Sequence, residues 1–267
     1  MPRSLKVLPL TLALVTLALA AVSLLFTSCG GSGNTVQARF INAISDTQAY
    51  GNAGLDIDIN TTKQFTNIIF PVPPSSSYKS IPSGNDTIEG LQTNSTTQVF
   101  SQNVGLIAGS QYTLIATGLD NASNGSNIFV MSPVDNNTAP ANGSVNFRVI
   151  NASSFGPSGD GNAVDVYIIP TGTSVPSSCT EPNCISNLGY KGASKYEPLP
   201  YNSNGNGWEM IVTRVTGNPT PYFNFSIANF GSASEGAICT LVLTDQQNGT
   251  NMSSLPVQLN DLNGCNP

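Results

Sequence analysis

The feature that most restricts the fold is an internal repeat, visible when the chain is laid over itself at a displacement of 109 residues. VQARFINA at 36–43 lies over VNFRVINA at 145–152, with Val, Arg, Ile, Asn and Ala shared. The register holds without a gap to LDIDI at 55–59, which falls on VDVYI at 164–168. It is lost where the second copy carries an insertion containing Cys179 and Cys184, and returns where AGSQYTLI at 108–115 meets EGAICTLV at 235–242. The units are therefore read as 35–134 and 144–267, joined by a turn-rich linker at 135–143.

Within each unit the hydrophobic period is two. Leu55, Ile57 and Ile59 point one way and Asp56 and Asp58 the other, the pattern of a half-buried strand. Further strands are expected at 67–70, 87–91, 112–116, 128–131, 208–213, 222–228 and 239–244. Asn-Gly pairs at 142–143, 204–205 and 248–249 punctuate them as turns. With no helical periodicity after the N-terminal segment, this predicts an all-β chain of two tandem immunoglobulin-like β-sandwich domains.

The first 28 residues are set apart from the fold. Arg3 and Lys6 precede an uncharged stretch at 7–26, the layout of an export signal. The segment ends in LFTSCG at 25–30, which resembles the lipobox of bacterial lipoproteins. That resemblance implies cleavage before Cys29, lipidation of Cys29, a Gly/Ser tether at 29–34 and residence at the bacterial cell envelope, with Gly30 after the cysteine pointing to the outer membrane. The apolar stretch is also long enough to be retained as a spanning anchor, so both readings stand.

Four further cysteines in an exported chain point to two disulfides. Cys179 with Cys184 would close a short inserted loop, and Cys239 with Cys265 would tie a core strand to a C-terminal tail beyond the last strand. A metal site is disfavoured because zinc sites want closely spaced Cys/His ligand pairs and the chain has no histidine at all. SGDGN at 158–162 offers oxygen ligands but lacks the acidic spacing of a calcium loop, and is read as a plain turn.

The strand RFINA at 39–43, its partner RVINA at 148–152, and the following LDI at 55–57 and VDVY at 164–167 resemble the bacterial family called domain of unknown function 4397. The resemblance implies an exported, often lipidated protein carrying the unit in tandem. It brings no catalytic residues and no cofactor.

Composition then limits the chemistry. Nine basic against fifteen acidic residues give a net charge of −6 with no basic run, which argues against nucleic acid as a partner. The absence of histidine removes the Ser-His-Asp and Cys-His mechanisms. Ser194-Lys195 is poorly placed as a nucleophile and base, because adjacent residues on extended chain point apart. Asp56 and Asp58 share a strand face, yet the second copy keeps only Asp165 and has Tyr167 instead of a second acid, so the repeated aspartate is read as closing a turn or bonding backbone amides at the strand's start. Tyr190, Tyr196, Tyr201 and Trp208 gather in the inserted part of the second copy and are the candidate binding patch. The function expected is a non-catalytic, membrane-tethered interaction module for adhesion, scaffolding or glycan binding, its partner a protein or glycan. The alternative is a carboxylate-dependent, glycan-active enzyme.

Overall fold

A computed structural model describes residues 34–46, 54–70, 77–120, 127–155, 163–181, 183–201, 208–215, 221–227, 235–247, 251–254 and 256–262. Cys29, the tether up to residue 33, Cys265 and the turn at 158–162 lie outside the described residues. The described chain is all β. The first copy supplies β1 (Thr35–Ile44), β2 (Leu55–Ile59), β3 (Thr62–Ile68), β4 (Lys79–Pro82), β5 (Gly84–Gln92), β6 (Gln98–Leu106), β7 (Gln111–Gly118), β8 (Phe129–Met131) and β9 (Val134–Asp135). The second supplies β10 (Ser144–Asn151), β11 (Val164–Pro170), β12 (Cys184–Leu188), β13 (Gly192–Ala193), β14 (Glu197–Pro200), β15 (Trp208–Arg214), β16 (Pro221–Ile227), β17 (Ile238–Leu243) and β18 (Val257–Leu262).

The strands form four sheets, in which one order occurs twice. β4-β1-β7-β8 faces β3-β2-β5-β6 in the first copy, and β10-β17-β18, edged by β13 and β14, faces β12-β11-β15-β16 in the second. In both copies the first strand runs parallel to the seventh-strand equivalent, β1 with β7 and β10 with β17.

The repeated motif strands read as unbroken apolar runs because both their faces are covered. On β1, Val36, Ala38, Phe40 and Ile44 enter the core of their own copy, while Ile41 and Ala43 enter a third cluster made with Ile150, Ala152, Val242, Val257 and Leu259 of the other copy. β10 does the same, sending Val145, Phe147 and Val149 inward and Ile150 across. The two copies are thus packed against each other along β1, β7, β10 and β17.

The other two motif residues hold each copy's sheets together. Asn42 and Asn151, fully buried, donate from Nδ2 to the carbonyls of Ile68 and Leu188 at the ends of β3 and β12. Asp56 accepts from the Asn67 N–H at 2.9 Å and Asp165 from the Asn187 N–H at 2.8 Å. Those asparagines adopt φ of 51° and 52° beside matching register shifts, and the aspartates satisfy the amides that the shifts turn out of the ladder. The repeated aspartate is therefore architectural, as its chemistry suggests.

Two boundaries differ from expectation. Asp135, read as the first linker residue, belongs to β9 and pairs with Gln111 of β7. The tail expected beyond the last strand contains β18, antiparallel to β17.

The insertion has a packing role. Where the first copy places Asp58 and Glu89 opposite each other on the outer sheet, the second places Tyr167 and Ile211. Tyr167, Ile169 and Ile211 would be an apolar face in water, but Val175 and Cys179 of the inserted loop pack on them, and the Cys179–Cys184 disulfide staples that loop to β12. Replacing both cysteines by serine should cost about 2 kcal/mol on the loop-entropy model and raise binding of a hydrophobic dye, as read by thermal denaturation and dye fluorescence. Cys239 is also disulfide-bonded; its expected partner, Cys265, is outside the described residues.

Candidate functional site

The groups with most chemistry meet where the copies meet. Arg39 and Arg148, the repeated arginines, are 1% and 2% exposed. Each belongs to one copy and pairs with an aspartate of the other: Arg39 with Asp261, and Arg148 with Asp135 at 2.5 Å. Arg39 also lies 3.8 Å from Asp135. Within its own copy each arginine donates from Nε to a threonine hydroxyl, Thr113 at 2.8 Å and Thr240 at 3.1 Å. Those hydroxyls donate onward to Asp135 at 2.7 Å and Asp261 at 2.5 Å. Tyr78 and Tyr196 complete the pseudo-twofold set, Tyr78 donating to Asp135 and Tyr196 to Asp261, with the rings 5.0 Å from the guanidinium of Arg39 and 4.6 Å from that of Arg148 respectively.

Four buried charges are tolerable only when all are paired and hydrogen-bonded, which this set achieves. Burial works against the Arg39 charge, yet the facing Asp261 and Asp135 outweigh it and raise its pKa. Burial pushes the Tyr196 phenol up to about 12, aided by Asp261 and opposed by Arg148; Tyr78 is raised as well, for the same first reason. Because these phenols titrate higher folded than unfolded, their stabilisation is complete below the ordinary tyrosine pKa and is lost as pH rises through the folded value. Absorbance titration should therefore show late-ionising tyrosines, with loosening of the fold between about pH 10 and 12, and Tyr196→Phe should remove one late tyrosine.

At one end of the seam lies a cluster in which Phe129 and Lys191 are exposed and Tyr190 is half-buried. Lys191, between β12 and β13, holds φ at 66° and places its Nζ 4.4 Å from the ring centroid of Phe129 on β8 and 5.0 Å from that of Tyr190. A non-glycine residue in the left-handed region needs local support, and the Lys191 N–H donates to the Asn151 carbonyl at 2.8 Å. Phe129 is 37% exposed. One cation is thus clamped between an aromatic ring from each copy, a surface able to stack on a sugar ring or a partner side chain and to pair with an anion. A separate cavity of about 170 Å³ beside β1 and β3, lined by Phe40, Phe65, Ile68 and Lys79 among others, is smaller than usual ligand sites.

The four aromatics read as one patch are dispersed. Trp208 is 5% exposed and sits in the second copy's core, against which Tyr201 packs. Tyr196 belongs to the seam network, and Tyr190 alone reaches the exposed cluster. Ser194 uses its hydroxyl on backbone, accepting from the Val149 N–H and donating to the Lys195 carbonyl. The seam itself was missed from sequence, although an arginine repeated in the middle of an apolar strand was its signal.

Residues 36–167 match the family described as domain of unknown function (DUF4397). Over those residues the chain belongs to this family. The DUF4397 match spans β1 to β9 and runs through β10 into β11, so it includes Arg39, Asp135 and Arg148. No curated protein matches the chain. Among solved structures, the Bacillus anthracis TIE protein is similar at 10% identity and a TM-score of 0.21, over 80% of this chain and 34% of that one, so the chain spans about a third of its length. The family CBM26 module of Eubacterium rectale Amy13K, solved in complex with maltoheptaose, is similar at 11% identity and a TM-score of 0.23, over 82% of this chain and 96% of the module. Overlays this loose establish neither ligand nor activity.

Proposed function

We propose that this DUF4397 protein is a non-catalytic interaction module of two tandem immunoglobulin-like sandwiches, tethered at the bacterial envelope through lipidated Cys29. Its contact surface is the seam-end cluster of Phe129, Tyr190 and Lys191, and its partner is a glycan or an envelope protein. The observation that carries this reading is the lysine held between two aromatic rings, one from each copy, with Phe129 open to solvent. The buried carboxylates support it from another side. Asp56, Asp135, Asp165, Asp245 and Asp261 all accept hydrogen bonds from groups of the fold, which suits structural duty better than proton transfer. The export signal and lipobox resemblance at 1–30 support the location.

The test uses the mature lipoprotein and its Phe129→Ala and Lys191→Ala variants on a glycan array, in pull-downs from native envelope and on glycoside substrates. Binding lost by about tenfold or more in either variant, at unchanged stability, is the expected result. Turnover abolished by a single Asp→Ala or Glu→Ala substitution would overturn it.

A further inference from the structure

The chain enters the fold at the opposite end of the molecule from the Phe129 cluster. Asn34 and Thr35 are fixed there, their carbonyls accepting from the Ser83 and Gly109 N–H groups at 3.0 Å each. The β6–β7 turn containing Gly109 presents Ile107, which is 69% exposed, the most exposed large apolar side chain among the described residues. Its N–H donates to the Tyr112 hydroxyl at 2.9 Å, which fixes the turn with the isoleucine outward.

The second copy stands in the same orientation. Arg39 and Arg148 meet around Asp135 at one level, and Thr117, beside Ala43, donates to the carbonyl of Ala152, the equivalent of Ala43, at a higher one. Both copies therefore begin at one base, joined by the short run from Asp135 to Ser144. The Gly236 N–H repeats the Gly109 contact by donating to the Ser144 carbonyl. The run 136–143 is uncharged, and Glu235 beside it accepts from the Gly143 N–H.

Five residues separate Cys29 from Thr35, a reach of roughly 20 Å even when extended. We infer that the base of the molecule docks on the lipid surface, with Ile107 inserted into the interfacial region, so that the Phe129 end faces away from the bilayer. This rests on the lipidation of Cys29. A lone exposed isoleucine is ordinary in itself; here it is held rigidly on the end where a short tether confines the chain to a bilayer, and an aliphatic side chain gains by leaving water there.

The experiment reconstitutes the mature lipoprotein in phosphatidylethanolamine and phosphatidylglycerol vesicles with brominated acyl chains. It compares Ile107→Trp with Ile69→Trp, since Ile69 is 42% exposed just beyond β3 at the far end. Trp208 is subtracted using the parent protein. Emission at position 107 should fall to roughly half while position 69 is unaffected, as interfacial insertion of a few ångströms requires. Protein that floats with the vesicles yet shows no quenching at 107, or equal quenching at 69, overturns the docking while leaving the lipid anchor in place. Protein that does not float, with no acyl mass on Cys29, overturns the anchor and the docking with it.

Discussion

Asp135→Ala should destabilise the protein by about 3–5 kcal/mol, the usual effect of removing one partner from a buried ion pair. Asp135 accepts from Arg148, Thr113 and Tyr78 and lies 3.8 Å from Arg39, so alanine leaves one guanidinium with no carboxylate and two hydroxyls without an acceptor. Both copies should feel the loss, because the aspartate belongs to the first and its arginine to the second. Asp135→Leu combined with Arg148→Met should recover most of the stability, since replacing a whole buried pair by apolar groups of similar volume is often neutral. Chemical denaturation of the three proteins decides the matter. An Asp135→Ala loss below about 1 kcal/mol would mean that the seam is wet or open in solution.

That network marks the limit of what could be read from the chain. Period-two alternation at 55–59, with the aspartate and the alternating apolar residues kept at 164–168, is enough to place β2 and β11. β6 is not legible in the sequence: its buried residues are Val99, Phe100, Val104 and Leu106, and the register shift opposite Gly90 and Leu91 breaks the alternation. β18 reads as a tail, since VQLNDL looks half polar until Asp261 is placed facing Arg39. The arginines repeat at 39 and 148, which the self-alignment shows. Their partners at 135 and 261 could not be matched, because one lies at the edge of a linker and the other beyond an insertion. The aromatic cluster fails for a related reason. Proximity in sequence put Tyr190, Tyr196, Tyr201 and Trp208 together, whereas alternation and turns send them to the exposed seam end, the charged seam and the core.

Trp208→Ala should unfold or strongly destabilise the second copy, by about 3–5 kcal/mol, as truncation of a buried indole does. The side chain starts β15 opposite Pro170 and Ile227, is 5% exposed, and shares a cluster with Ile168, Met210, Val212 and Leu241. Alanine there leaves a cavity that a sheet fixed on both sides by β11 and β16 can close only in part. A loss of partner binding in that variant would then report a damaged fold and not a lost contact. Phe129→Ala is the opposite case, because its ring ends a short edge strand, is 37% exposed and belongs to none of the buried clusters among the described residues. Its melting temperature should lie within about 2 °C of the parent, with the cation left to Tyr190 alone. Measured side by side, Trp208→Ala should lose stability and binding together, and Phe129→Ala binding alone. Equal stability losses in the two would remove Phe129 from the contact surface and return it to the packing of the seam.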